Sequence, residues 1–156
     1  RWSRVVNAII EARGTGQLQR TLGAADLVTK AVGGMHAKQR IHPATKTFQG
    51  IRIAINGELE ALAMTLPKVF RALKPGGVLA IISFHSLEDR IVKRFMRKMS
   101  GRPQHRGDHS FVAERTAYAE MVQSKAIFPT KEEVVSNPRS RSARLRVLRK
   151  LRHPEM

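Results

Sequence analysis

Ser83, His85, Ser86, Glu88, Asp89 and Arg90 crowd into one short stretch of the sequence, which is the first place to look for chemistry. His85 could serve as an acid/base group, orient a substrate, or hydrogen-bond nearby backbone and fix the turn. Nucleophilic hydrolysis fits poorly, because a catalytic triad is assembled from separate loops and the G-x-S-x-G elbow is missing. Ser86 followed by Asp89 resembles a helix capping box with the shorter acid. Glu88 and Arg90 read most simply as surface ion-pairing residues.

The elements around these residues decide where they sit. Val78 to Phe84 is nearly continuous apolar sequence, as expected of a parallel strand covered on both faces. In open α/β sheets, ligands gather beyond the carboxyl ends of such strands, which is where Ser83, His85 and Ser86 fall. Pro75, Gly76 and Gly77 turn into the strand. Beyond it Leu87, Ile91, Val92, Phe95 and Met96 form one helix face, with Lys93, Arg94, Arg97 and Lys98 on the other. Upstream, Trp2, Val5, Val6, Ile9 and Ile10 define an apolar helix stripe stopped by Gly14 and Gly16. Thr21 is a candidate N-cap for a second helix closed by Gly33 and Gly34. After a basic loop at 36–42, Phe48, Ile51, Ile55, Leu59 and Leu62 keep helical spacing, interrupted at Asn56 and Gly57, and Pro67 fits the first turn of a further segment. Downstream, Ser100 to Ser110 reads as a loop. Ala126 to Phe128 reads as a short strand, Lys131 to Val135 as a short helix and Asn137 to Ser142 as a basic turn. In the terminal segment Leu145 and Val147 alternate with Arg144, Arg146 and Arg149, which predicts a strand with a wet arginine face.

Charge narrows the partner class. The 156 residues hold 29 Lys and Arg against 12 Asp and Glu, a formal charge of +17. Residues 1–89 hold 12 basic and 6 acidic groups, and residues 90–156 hold 17 and 6. Nucleic acid is the expected partner, with the second half the better candidate for phosphate contact. A basic surface that aids solubility or meets anionic lipid is the plainer alternative. Aromatic residues make up only 5% of the chain, so a base-stacking platform is poorly supported. No apolar run approaches the roughly 20 residues of a membrane-spanning helix, and a soluble protein is expected. The absence of cysteine removes disulfides and thiolate metal sites. His36, His42, His105, His109 and His153 lack metal-ligand spacing, so no metal is expected. The pairs Gly33-Gly34 and Gly76-Gly77 lack the context of a nucleotide fingerprint. Asn137-Pro138-Arg139-Ser140 partly matches the Asn-Pro-Pro-aromatic signature of amino-group methyltransferases but lacks the second proline and the aromatic. It reads as a turn that carries arginines. The chain opens on Arg1 inside a helical pattern, which suggests a piece of a longer protein.

Three blocks, HPATKTFQGIRIAINGELEAL (42–62), SFHSLEDRIVKRF (83–95) and NPRSRSARLRV (137–147), closely resemble the bacterial 16S rRNA cytosine-N4-methyltransferase family, known as RsmH or MraW. The resemblance is to the C-terminal half of that family. It implies an α/β fold: part of a class I, Rossmann-like methyltransferase core (42–156), preceded by the last helices of an inserted helical substrate-recognition domain (1–41). The chemistry implied is attack by a cytosine exocyclic amine on the sulfonium methyl of S-adenosylmethionine, with loss of a proton. That amine is a poor nucleophile, so positioning and a hydrogen-bond acceptor matter more than a strong base, and the base must be unpaired or turned out. The family's main cofactor site belongs upstream, and no cofactor-binding residue matches within this chain. On position and charge, Ser83, His85 and Ser86 are expected near the target base, and Lys46, Arg52, Arg139, Arg141 and Arg144 on the RNA backbone. The expected setting is cytoplasmic, with the small ribosomal subunit as partner and no membrane. The strand edge that upstream strands should pair invites self-association. A non-catalytic basic RNA-binding module on the same scaffold is the alternative.

Overall fold

The computed structural model describes residues 2–34, 41–105, 107–108 and 115–154. Part of the basic loop at 36–42 and part of the loop at 100–110 lie outside the described residues. The chain divides into two units, Arg1–Gly57 and Glu58–Met156.

The first unit is helical: α1 (Trp2–Glu11), α2 (Thr21–Ala31) and α3 (Ala44–Asn56). Its core joins Val5 of α1, Val28 of α2 and Ala44 of α3, with Ile9, Ala25 and Phe48 packed around them. The apolar stripe on α1 is only partly used. Val5 is buried, whereas Trp2, Val6 and Ile10 are exposed. Thr21 is the first helical residue of α2 and not its cap, because Arg20 holds the extended N-cap position without a side-chain bond. Gly57 ends α3 in the left-handed region at φ 59°, where a side chain would be strained.

The second unit is mixed α/β. Its elements are α4 (Glu58–Ala72), β1 (Val78–Ser83), α5 (Ser86–Met99), β2 (Ala119–Met121), α6 (Lys131–Ser136) and β3 (Arg144–Lys150), with a 3-10 turn over Pro138–Ser142. Pro67 lies well inside α4 and does not start a new helix. Its neighbours Leu66 and Phe70 are buried in the core, and that packing holds the helix through a residue that cannot donate to it. Gly77 enters β1 where an added Cβ would lie 2.9 Å from the Lys74 carbonyl. Only glycine fits that turn without a shift.

The three strands run in the order β1-β3-β2, antiparallel throughout. Two expectations fail here. Among the described residues β1 has no parallel partner and is not covered on both faces: it is an edge strand that pairs antiparallel with β3, from Val78 opposite Arg149 to Ser83 opposite Arg144. Leu79 and Ser83 are buried while Val78 and Ile82 are exposed. The continuous apolar run therefore hid an alternation. In β3 the wet face is also reversed, since Arg146, Leu148 and Lys150 are buried and Leu145 and Val147 lie on the more open side. The expected strand at Ala126–Phe128 is a single bridge, Ile127 to Leu145.

The core of this unit joins Leu66 and Phe70 of α4, Leu79 of β1, Val92 and Met96 of α5, Ala119 of β2 and Leu148 of β3. Phe70 and Phe95 meet edge to face at 5.9 Å, a favoured aromatic geometry. Among the described residues no helix is long and apolar enough to cross a membrane.

Candidate functional site

The β1–α5 turn is built around a cap. His85 holds the N-cap position of α5 in extended backbone, φ −138° and ψ 161°. The Glu88 backbone N–H donates to His85 Nδ1 at 3.3 Å. The Glu88 carboxylate in turn accepts from the backbone N–H groups of Phe84 at 3.0 Å and His85 at 3.2 Å. This reciprocal box satisfies backbone donors that a helix start otherwise leaves open. The cap is therefore His85 with Glu88, not Ser86 with Asp89, and Glu88 is a backbone acceptor before it is a surface ion-pairing residue.

Engagement limits the chemistry of His85. With Nδ1 accepting, the neutral ring carries its proton on Nε2. That nitrogen is buried and lies 3.2 Å from Glu88 Oε1, within ion-pair distance but without hydrogen-bond alignment. Neither ring nitrogen is open to solvent as a free base. Ser83 is buried at the end of β1, whereas Ser86 is exposed on the first turn of α5.

Next to the turn lies a buried constellation. Asp89, 6% exposed, is on the same helix face as Val92 and Met96. Arg146 grips its carboxylate side-on, Nε to Oδ1 at 2.6 Å and Nη2 to Oδ2 at 3.2 Å. Arg144 donates from Nη1 to Oδ2 at 3.1 Å. Burial by itself raises the Asp89 pKa, but the hydrogen bonds and charges of Arg146 and Arg144 outweigh it and hold the carboxyl below its ordinary value. Residue type alone did not expose this cluster. The signal was a carboxylate at the i−3 and i−7 positions of an apolar helix stripe.

The arginine turn follows from its local sequence. Asn137 precedes Pro138, which starts the 3-10 turn. Ser140 is buried and its hydroxyl donates to the Asn137 carbonyl at 2.8 Å. Arg139 and Arg141 are left exposed on either side of it. Because Arg144 is opposite Ser83, this turn enters β3 at the end of the sheet where β1 meets the His85 cap. Ser83, His85, Ser86 and Arg144 thus share one end of the second unit.

Lys46 and Arg52 lie exposed on α3 in the first unit. Lys46 also borders a cavity of about 930 Å³ lined mainly by apolar residues including Trp2, Val5, Ile9 and Ile51. Among the described residues there is no group of three or more metal-ligating His, Asp or Glu.

The fold and site define a basic mixed α/β protein with a capped strand–turn–helix and an arginine turn at one end of its sheet. Residues 1–151 match the model of the MraW methylase family, and the chain belongs to that family. Among curated relatives, the ribosomal RNA small subunit methyltransferase H of Nitrosococcus oceani is 47% identical over 148 residues, covering 94% of this chain and 46% of that protein. The protein of the same name from Cereibacter sphaeroides strain ATCC 17029 is 46% identical over 147 residues, 92% of this chain and 44% of its own length. The Coprothermobacter proteolyticus protein of that name is 43% identical over 147 residues, 94% of this chain and 44% of its own length. The chain spans less than half the length of these relatives.

Proposed function

We propose that this chain forms the substrate side of an S-adenosylmethionine-dependent methyltransferase acting on a cytosine N4 amine of small-subunit 16S rRNA. One observation carries the reading: the antiparallel register of β1 and β3 sets the arginine turn beside the capped β1–α5 turn. RNA phosphates and a base can be met at one end of one sheet. Of the three turn residues, Ser86 offers the exposed hydroxyl and is placed nearest the base, while His85 and Ser83 hold the turn in shape. Arg139, Arg141 and Arg144 take the RNA backbone in this reading, as do Lys46 and Arg52 on the helical unit.

The residues beside the turn do not fit the cofactor itself. A ribose needs a free carboxylate, and both neighbours are committed, Glu88 to backbone N–H groups and Asp89 to two arginines. Gly76 and Gly77 sit at the opposite end of β1. The same feature favours a second reading, a basic RNA-binding module without catalysis. In the enzyme reading, residues 42–156 belong to a Rossmann-like core and 1–41 to the end of an inserted recognition domain. The protein works in the cytoplasm, and β1 pairs with strands supplied from elsewhere. With that edge open, self-association of the chain is expected.

Two measurements test this. Calorimetry on residues 1–156 is expected to show no micromolar binding of S-adenosylmethionine, and micromolar binding would overturn the division of labour. Replacing Arg139 and Arg141 by alanine should weaken rRNA binding and flatten the slope of log affinity against log salt by roughly 0.7 to 0.9 per lost phosphate contact. An unchanged slope removes the arginine turn from the interface.

A further inference from the structure

The Asp89 constellation holds two guanidinium groups against one carboxylate, and the two are not equivalent. Arg146 is 8% exposed and spends Nε and Nη2 on Asp89 in a side-on fork. Arg144 has a side chain 36% exposed and spends only Nη1. Its Nε and Nη2 have no partner among the described residues. The guanidinium carbon lies 5.7 Å from the centre of the Phe128 ring, within cation–π range. Phe128 is itself exposed, and its segment is fastened to β3 by the bridge between Ile127 and Leu145.

These observations describe a cation that is fixed without being neutralised. Asp89 brings one negative charge against two guanidinium groups and Arg146 takes the bidentate share, so one positive charge is left over and Arg144 is its more exposed holder. It is held from one side by Asp89 and rests over Phe128, with Nε and Nη2 unspent, two residues beyond the end of the arginine turn. A guanidinium ordered in this way loses little conformational freedom when it meets a planar or tetrahedral anion. Freely exposed arginines such as Arg139 and Arg141 must be ordered on binding.

We propose that Asp89 and Phe128 are positioning residues for Arg144, which meets an RNA phosphate with the guanidinium edge that Asp89 leaves unused. This rests on the reading of the chain as the substrate side of an rRNA methyltransferase. Arg139 and Arg141 then supply general attraction, and Arg144 a phosphate contact of fixed position.

The test is a mutant cycle on the 156-residue chain binding a small-subunit rRNA transcript, with circular dichroism confirming the fold of each variant. Arg144→Gln should weaken binding roughly fivefold to tenfold at moderate salt, the loss of one phosphate contact. Phe128→Leu keeps an apolar side chain but removes the aromatic face, and should weaken binding about threefold. In the Arg144→Gln background Phe128→Leu should change nothing further. A third variant separates position from charge. Asp89→Asn removes a negative charge, which on charge counting alone tightens RNA binding, whereas loss of positioning weakens it. Additive effects of Phe128→Leu and Arg144→Gln, or tighter binding by Asp89→Asn, would overturn the inference and leave the RNA-binding reading standing. A wild-type chain with no salt-dependent rRNA binding would overturn both.

Discussion

Replacing Lys150 by methionine is expected to lower the stability of the second unit by about 3 kcal/mol, a fall of roughly 10 to 20 °C in melting temperature for a domain of this size. Lys150 is the last residue of β3 and is 0% exposed. Its ammonium donates to the carbonyls of Phe70 at 2.9 Å, Arg71 at 3.2 Å and Leu73 at 2.6 Å, and lies 2.9 Å from His153 Nδ1. Those carbonyls belong to the last turn of α4 and the residues just past it, where a helix leaves acceptors open and presents the negative end of its dipole. The ammonium also sits 5.1 Å from the centre of the Phe70 ring. Burial pushes the Lys150 pKa below the usual lysine value, so the cation bears a desolvation cost that the carbonyls offset. Methionine matches the length of the stem and removes both the cost and the compensation, leaving the acceptors at the end of α4 unmet. Thermal and urea unfolding decide the balance. A midpoint unchanged or raised by Lys150→Met would mean that desolvation outweighs the three carbonyl contacts.

The strand–turn–helix was legible because its signals are local. The apolar run from Val78, the glycine turn before it and the helical period from Leu87 to Met96 each constrain only near neighbours. The pairing partner of β1 was not legible, since β3 lies far along the chain and an apolar run as short as Val78 to Ile82 is compatible with either strand direction. β3 shows why alternation alone misleads. Its two-residue period is visible in the sequence, but the alternation puts Arg144, Arg146 and Arg149 together on a wet side and says nothing of Lys150. Long side chains can instead carry their charge inward when a carboxylate or a set of helix-end carbonyls waits there, as Asp89 does for Arg146 and α4 does for Lys150. The same reasoning covers the cap. Serine is the commoner N-cap residue, and only the backbone shows that the chain leaves β1 one residue earlier and puts the imidazole of His85 in that position. The sequence thus places the turn and its polar residues, while the roles of His85 as the cap and of Asp89 as the partner of two arginines depend on contacts that it does not display.

Asp89→Asn is expected to cost about 3 to 5 kcal/mol at neutral pH, because it leaves the buried Arg146 guanidinium without a counter-charge. The amide has nearly the shape of the carboxylate and keeps one acceptor, so the loss reports charge and not packing. Its pH dependence follows from the direction of the Asp89 shift. The native carboxyl titrates below its ordinary value, and an unfolded aspartate titrates near about 3.9. The stabilisation is therefore complete above about pH 4 and declines as pH falls through the lower native value, where the folded carboxyl also takes up a proton. Urea midpoints of wild type and variant should lie far apart at pH 7 and converge as the solution is acidified below the ordinary aspartate range. A gap that stays constant with pH would assign the loss to shape instead. Removing both partners separates the two costs further. Asp89→Leu combined with Arg146→Met replaces a buried ion pair by apolar groups and should recover much of the stability lost by Asp89→Asn alone. It cannot recover the placement of Arg144, whose carboxylate anchor is gone in both variants. Stability restored while RNA affinity stays low would show that the pair is kept for the position of the second arginine and not for the strength of the fold.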